Sequence, residues 1–123
     1  MNPVEIEQAI SELAEAPFDA AEFPFAFLEA FGRKATEIKK LRKGETNKSD
    51  LGGVLQRNNI HIATCALGAV SDTLAALKDS AATTKFKAKF ILATDGQEFE
   101  AEDLIGGETV ACTFQQFPDH FGL

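Results

Sequence analysis

Asp50 is followed by two apolar segments typical of strands, and the second contains His61, Ala63 and Cys65. Many metal-dependent nucleases place an Asp at the start of one strand and Glu-x-Lys on the next. Two carboxylates then hold Mg²⁺ while the Lys orients the attacking water. Here Ala63 and Cys65 stand where the Glu and the Lys would be needed. One carboxylate cannot hold the ion, so if the chain has that nuclease scaffold, Asp50 is a vestigial nuclease position. We expect no catalytic residue and no metal site.

A different use of the same residues is an alternative. His61 is the other polar side chain near Asp50 that can bind a metal, so an active nuclease would have to use an Asp50–His61 site. That alternative is excluded if the two side chains point to opposite sides of the sheet. It is also excluded if the chain cleaves no DNA with Mg²⁺ or Mn²⁺.

Other catalytic and metal-binding patterns are missing from the sequence. The glycines match neither the phosphate-binding loop nor the dinucleotide fingerprint, and there is no GxSxG. Cys65 and Cys112 are far apart, without the close spacing of a zinc site, and we expect both to be reduced and buried. The alternation of Glu98, Glu100 and Glu102 predicts the solvent face of an antiparallel strand rather than a metal-binding row.

Positive charge is confined to the middle of the chain. All twelve Lys and Arg residues lie between Arg33 and Lys89, and both ends carry acidic residues only, although the net charge is −7. Phosphate contacts need local positive potential rather than a basic average, so DNA remains a candidate partner. The alternative is a solvated helix face whose lysines pair with the acidic arms. The predicted nucleic-acid-binding residues are Arg33, Lys34, Lys39, Lys40, Arg42, Lys43, Lys48 and Arg57.

Apolar spacing and turn residues predict a mixed α/β (α+β) domain, with helices packed on a sheet of about five strands. The second helix is expected to begin near Asp19 or at Pro24 and to stop at Gly32. Asp95-Gly96 joins two strands in the clearest local signal of the chain. The expected helices are 3–15, the second helix, 35–43 and 69–79, and the expected strands are 54–57, 60–65, 90–94, 97–102 and 109–114.

Length and composition predict one domain over residues 1–123, with a helical part at 1–45 and a sheet-rich part at 46–123. The eleven Phe residues have mostly core-like spacing. No signal peptide and no run of about 20 apolar residues is present, so we expect a cytoplasmic protein without a membrane partner. The apolar end, with Phe121 and Leu123, predicts a fragment of a longer chain in which these residues lead into a neighbouring domain.

Two long segments resemble the N-terminal region of large bacterial MmeI-like restriction–modification DNA methyltransferases. They are FPFAFLEAFGRKATEIKKLRKGETNKSDLGGVLQRNNIHI and KAKFILATDGQEFEAEDLIGGETVACTFQQFPDHFGL, and the similarity covers nearly the whole chain. The FLEAFG segment, the NKSDLGG loop and the FILATDG–FPDHFG end are its most specific parts.

The resemblance implies a degenerate restriction-endonuclease-like core in which Asp50 matches the first metal-binding Asp. It implies that a helical linker, an adenine-N6 methyltransferase domain that uses S-adenosylmethionine, and a target-recognition domain follow in the parent protein. The methyltransferase motifs are absent from this chain, so the cofactor is expected in the parent and not in this fragment.

Two functions follow as alternatives. In the first, a nuclease-like domain without cleavage residues positions double-stranded DNA through the basic residues named above. In the second, a non-catalytic module docks onto the following helical and methyltransferase domains or another subunit, through exposed Phe121 and Leu123. Whether the lysines and arginines share one open face separates the two.

Overall fold

The computed structural model describes residues 2–121, so Leu123 lies outside the described residues. Within this range the elements, in chain order, are α1 (Pro3–Glu15), α2 (Phe23–Ala30), α3 (Ala35–Arg42), β1 (Val54–Gln56), β2 (Ile60–Thr64), α4 (Val70–Asp79), α5 (Ala81–Lys85), β3 (Phe90–Thr94), β4 (Glu98–Asp103), β5 (Thr109–Thr113) and a 3-10 helix (Phe114–His120). No helix among these residues is both long and apolar enough to cross a bilayer.

The five strands form one mixed sheet in the order β1-β2-β3-β4-β5. β2 and β3 are parallel, and the other neighbouring pairs are antiparallel. A parallel pair requires a long crossover, which here contains α4 and α5. The predicted mixed α/β (α+β) fold with about five strands is confirmed. Its likeness to a restriction-endonuclease core stays a prediction.

Each face of the sheet carries its own apolar core, because successive strand residues point to opposite sides. The first, which we call the aromatic face, includes Ile62 and Leu92 and is covered by α1, α2, α3 and the 3-10 helix. The second, the α4 face, places Ala63 and Ile91 against Leu77 of α4.

Phenylalanine dominates the aromatic face. Nine of the eleven Phe residues belong to its cluster, which confirms that most of them are core residues. Phe99 and Phe117 stack with ring centroids 4.7 Å apart and an interplanar angle of 5°. Since the 3-10 helix supplies Phe114 and Phe117 to this cluster and the next residue, Phe121, packs against it, the end of the described chain is part of the core.

Strand β1 lies at an edge of the sheet, and the preceding loop covers it. The Leu55 amide donates to Asn47 Oδ1 at 2.9 Å, and the Leu55 carbonyl accepts from the Lys48 amide at 3.1 Å. Leu55 is therefore hydrogen-bonded on the side of β1 that faces away from β2.

Helix α2 begins at Phe23, one residue before the expected start at Pro24, and Asp19 accepts amide hydrogen bonds in the preceding turn. The structure differs from the predicted elements in two places. Helix α5 was not predicted, since its sequence AATTK has no apolar repeat. The last strand ends at Thr113, because Phe114 and Phe117 share the buried side of the 3-10 helix.

Three side-chain expectations are also corrected. Glu98 is exposed as predicted, but Glu102 is only 14% exposed, because α4 packs against this side of β4, and it pairs with Lys78 of α4 at 2.9 Å. Glu100 is partly buried and accepts from Ser71 Oγ at 2.6 Å. The two cysteines are half-buried rather than buried, and Cys65 lies just beyond the end of β2.

Candidate nucleic-acid interface

Helix α3 turns its apolar residues inward and its lysines outward. Ile38 and Leu41 are buried, and the spacing of three residues places them on one side of the helix. Lys39, Lys40 and Lys43 are consequently exposed. We call the six cations at and around this helix the α3 group: Arg33, Lys34, Lys39, Lys40, Arg42 and Lys43.

Arg42 differs from the other members of the α3 group because it has a carboxylate partner. Its guanidinium makes two hydrogen bonds to Glu22, of 2.7 and 2.6 Å, and lies 4.4 Å above the centre of the Phe25 ring. The hydrogen bonds from Arg42 lower the pKa of Glu22, and the same bonds raise the pKa of Arg42. Arg42 thus ties α3 to the start of α2 and is the least free of the predicted phosphate contacts.

A surface groove of about 490 Å³ lies where α2 and α3 meet. Three predicted contact residues line it, namely Arg33, Lys39 and Arg42, and Glu29 is the one carboxylate among its lining residues. The groove therefore brings together cations that are separated in the sequence.

Lys48 and Arg57 belong to a different part of the surface. The ammonium groups of Lys48 and Lys85 lie 5.6 and 5.4 Å from the centre of the Phe86 ring. The Asn58 amide, next to Arg57, donates to the Phe86 carbonyl at 2.9 Å. The turn between β1 and β2 is thereby joined to the loop that follows α5. We call the cations here the Phe86 group: Lys48, Arg57, Lys85, Lys87 and Lys89.

Sequence reasoning missed three members of the Phe86 group, Lys85, Lys87 and Lys89. Their alternation in KFKAK was a signal of local charge, but their proximity to Lys48 depends on tertiary structure. The two groups adjoin through the end of β1, where Gln56 Nε2 donates to Glu37 of α3 at 2.9 Å.

Asp50, which was expected to be a vestigial nuclease position, lies on the α4 side of the sheet. Asp50 is exposed and accepts from Ser80 Oγ at 2.7 Å, which lowers the pKa of Asp50. Ser80 Oγ also accepts from the Thr83 amide, and Thr83 Oγ1 contacts His61 Nδ1 at 2.8 Å. Asp50 and His61 are thus linked on one side of the sheet, so the geometric criterion does not exclude a joint site.

The ring of His61 has no nitrogen left for a metal. Thr83 Oγ1 donates to the Leu77 carbonyl at 2.7 Å, so it must accept from His61 Nδ1–H. The other ring nitrogen, Nε2, is then an acceptor and lies 2.7 Å from Ser49 Oγ, which donates to it. His61 is fully buried, and burial lowers its pKa while nearby Asp50 opposes that shift. We call Ser49, His61 and Thr83 the His61 network.

A hydroxyl beside an imidazole is also the arrangement of a nucleophile and its base. In this chain, however, the amides of Leu51 and Gly53 donate to Ser49 Oγ at 3.2 and 3.1 Å. The Ser49 hydroxyl donates a hydrogen bond to His61 Nε2, and both of its lone pairs accept amide hydrogens. It therefore has no electron pair free for attack. The His61 network therefore fixes the loop before β1.

The positions expected for the missing Glu and Lys are structural. Ala63 is 3% exposed and packs with Val70, Leu77 and Ile91, and Cys65 Sγ lies 3.6 Å from the Thr94 carbonyl. No group of three His, Cys, Asp or Glu residues that could hold a metal ion occurs within residues 2–121. Asp50 is left as a single carboxylate facing solvent.

A second groove, of about 480 Å³, opens beside the aromatic face. Phe31, Phe90 and Phe121 line it together with Arg33 and Asn59. Phe121 was expected to be exposed, but it is half-buried and its ring lies 5.6 to 6.1 Å from those of Phe31, Phe99, Phe27 and Phe117. The groove itself is an apolar surface open to a docking partner, and Phe90 in it is 41% exposed.

Comparison with known proteins places the chain in a family. The family model described as "MmeI, N-terminal domain" matches residues 1–123, the whole chain. No curated protein and no solved structure matches the chain. Membership indicates that the chain is part of a restriction–modification enzyme, and the chain belongs to the family of MmeI N-terminal domains.

Proposed function

We propose that this chain is the N-terminal domain of a bacterial adenine-N6 DNA methyltransferase of the restriction–modification type, and that it positions duplex DNA through the α3 group. The observation that supports this role is the state of the six cations. All six are exposed, and five of them, all except Arg42, form no ion pair within residues 2–121. Family membership supports the assignment to a DNA-modifying enzyme. Its place of action would be the cytoplasm.

The chemistry of the α3 group suits backbone contact. Lysine ammonium groups on a helix surface bind phosphate oxygens as point charges, which fixes the orientation of a duplex without reading its sequence. Sequence recognition and methyl transfer would then belong to following domains of the parent protein. S-adenosylmethionine would bind there as well, because this chain has neither a glycine-rich cofactor loop nor the Asn-Pro-Pro-Tyr motif.

The nuclease-like part of the proposal depends on Asp50, Ala63 and Cys65. The first offers one carboxylate, and the other two supply neither the second carboxylate nor the Lys that the metal mechanism needs. The domain would therefore hold DNA without cutting it. Supercoiled plasmid that stays intact with Mg²⁺ and with Mn²⁺ supports this role, and metal-dependent nicking contradicts it.

The test of the α3 group is a titration of labelled duplex DNA at low and moderate salt. The variant K39Q/K40Q/K43Q removes three exposed charges and leaves the Arg42–Glu22 pair intact. Each lost phosphate contact lowers the slope of log affinity against log salt by about 0.9, so we expect a loss of about 2.7 in slope. K39Q and K78Q form a matched single pair, since Lys78 is already paired with Glu102. Unchanged affinity and slope in the triple variant would refute the proposal.

A docking module is the second candidate function, favoured by the apolar groove beside Phe90. Its occupant would be a following domain of the parent chain or another subunit. Wild-type chain that fails to bind duplex DNA even at low salt would favour this candidate. F90A would then weaken association with the following domains, while K39Q would not.

A further inference from the structure

The five cations of the Phe86 group come from three separate segments of the chain. Lys48 precedes β1, Arg57 follows it, and the three lysines at positions 85, 87 and 89 run from the end of α5 to β3. The Asn59 carbonyl accepts from the amides of Lys89 and Phe90 at 2.7 and 3.1 Å, and this joins the segments. All five side chains belong to exposed residues.

No carboxylate forms an ion pair with this surface within the described part of the chain. The ion pairs there are Arg42–Glu22 and Lys78–Glu102, and neither uses the Phe86 group. Carboxylates at its borders have other partners. Glu37 accepts from Gln56, Asp50 accepts from Ser80, and Asp103 accepts from two amides of its own turn. Like charges gathered without ion-pair partners favour a polyanionic partner.

The backbone gives an independent reason to assign a role to Lys87. Helices α2, α3 and α5 all end in the Schellman motif, with the amide two residues past the cap bonded back to the last turn at 3.0 to 3.1 Å. The residue just past the cap is left-handed each time, and it is Gly32 (φ 86°), Gly44 (φ 81°) and Lys87 (φ 58°). Glycine adopts this conformation without strain, whereas a lysine does not. The chain thus carries a cation where its own backbone pattern favours glycine.

We propose that the Phe86 group is a second phosphate-contacting surface, which binds the backbone of the same DNA duplex next to the segment held by the α3 group. The inference rests on the proposed DNA-positioning function and extends it. The Glu37–Gln56 hydrogen bond joins the two groups at the end of β1. A duplex crossing this edge of the sheet would meet cations on both sides, and the phosphate backbone presents the repeated negative charge that such a surface requires.

The experiment compares two triple variants of the chain on one labelled duplex across a salt series. K85Q/K87Q/K89Q removes three charges of the Phe86 group, and K39Q/K40Q/K43Q removes three of the α3 group. We expect each to weaken binding about tenfold or more and to lower the salt slope by up to about 2.7. K78Q serves as the control for loss of a lysine outside both groups.

The outcomes separate the inference from the proposed function. Loss of binding in the α3 variant alone overturns the inference and leaves the proposed function standing. Loss in the Phe86 variant alone establishes the second surface and refutes the role of α3. Wild-type chain that does not bind duplex at low salt overturns both.

Substitutions of Lys87 test the role of this surface in DNA binding without destabilising the fold. We expect K87G to raise the midpoint of thermal unfolding, because glycine relieves the left-handed backbone, and at the same time to weaken DNA binding. K87N removes the charge but tolerates the same backbone, and K87R keeps the charge. Weakened binding in K87G and K87N, with normal binding in K87R, supports the proposal. A more stable K87G that binds DNA as well as wild type overturns the role of Lys87.

Discussion

On the aromatic face of the sheet, Phe117 is fully buried and stacks on Phe99, and neither ring carries an ionisable group. On the α4 face His61 is equally buried, but its position depends on hydrogen bonds to Ser49 and Thr83 and on one neutral tautomer. The first face gains stability from removing apolar area from water. The second adds a polar network that is stabilising only when every partner is present. The two faces should therefore respond differently to substitution and to pH.

The largest expected effect is on the aromatic face. Phe117→Ala removes a ring that packs against five others, and we expect a loss of about 3–5 kcal/mol in the free energy of unfolding. Urea denaturation measures it. Phe90→Ala is the matched control, since Phe90 is 41% exposed and should lose far less. Similar losses in the two variants would contradict the assignment of the core.

A smaller effect is expected from the His61 network. Thr83→Val keeps the shape of the side chain but leaves the His61 Nδ1–H without its acceptor, while the Leu77 carbonyl keeps only the Ser80 amide, at 3.4 Å. An unsatisfied buried polar group costs about 1–3 kcal/mol, and urea denaturation should show a loss in that range. Thr64→Val is the comparison, because the hydroxyl of Thr64 donates to Ala20 in a more exposed place. A Thr83→Val protein as stable as wild type would mean that the network does not stabilise the fold.

The smallest expected effect is a pH dependence of the free energy of unfolding, which should come from the α4 face. Burial lowers the pKa of His61 below its ordinary 6.5, although Asp50 opposes the shift. Between the folded and the unfolded pKa the unfolded chain binds more protons, so stability is complete above pH 6.5 and falls as the pH drops below it. The lowered carboxyl pKa values of Asp50 and Glu22 act only below about 3.8 and 4.5, outside this window.

The measurement is urea denaturation from pH 7.5 to 5.5 in a His120→Gln background, so that His61 is the one histidine of the chain. His61→Gln in that background should flatten the curve, and Phe117→Ala should shift it without changing its slope. If the stability of His61→Gln changes with pH as steeply as that of its parent, His61 is not the cause of the pH dependence.

The sequence predicted those elements whose signals are local. Asp95-Gly96 identified the turn between β3 and β4, and the spacing of Ile38 and Leu41 identified α3. Helix α5 has no apolar repeat, and its N-terminus is marked only by the Ser80 hydroxyl, which accepts from the Thr83 amide. The sequence patterns therefore predicted the elements that have a regular apolar repeat or a marked turn, and they did not predict the short connecting helix α5.

The candidate site was less predictable because its geometry is tertiary. Arg42 is 20 residues from Glu22 in the chain, and nothing local indicates that this arginine is paired. Lys48 and Lys85 both lie near the ring of Phe86, because the crossover places α5 beside the turn between β1 and β2. The positions of Lys and Arg in the sequence predicted the basic region. Which of these cations have no ion-pair partner depends on the tertiary packing.

The cover over Leu55 has a consequence for self-association. An uncovered edge strand offers its amides and carbonyls to a strand of another chain and promotes aggregation. In this chain Asn47 and Lys48 hydrogen-bond the outward amide and carbonyl of Leu55, so this edge is closed to a foreign strand. The loop that carries Asp50 therefore keeps one border of the sheet from acting as a template for intermolecular pairing.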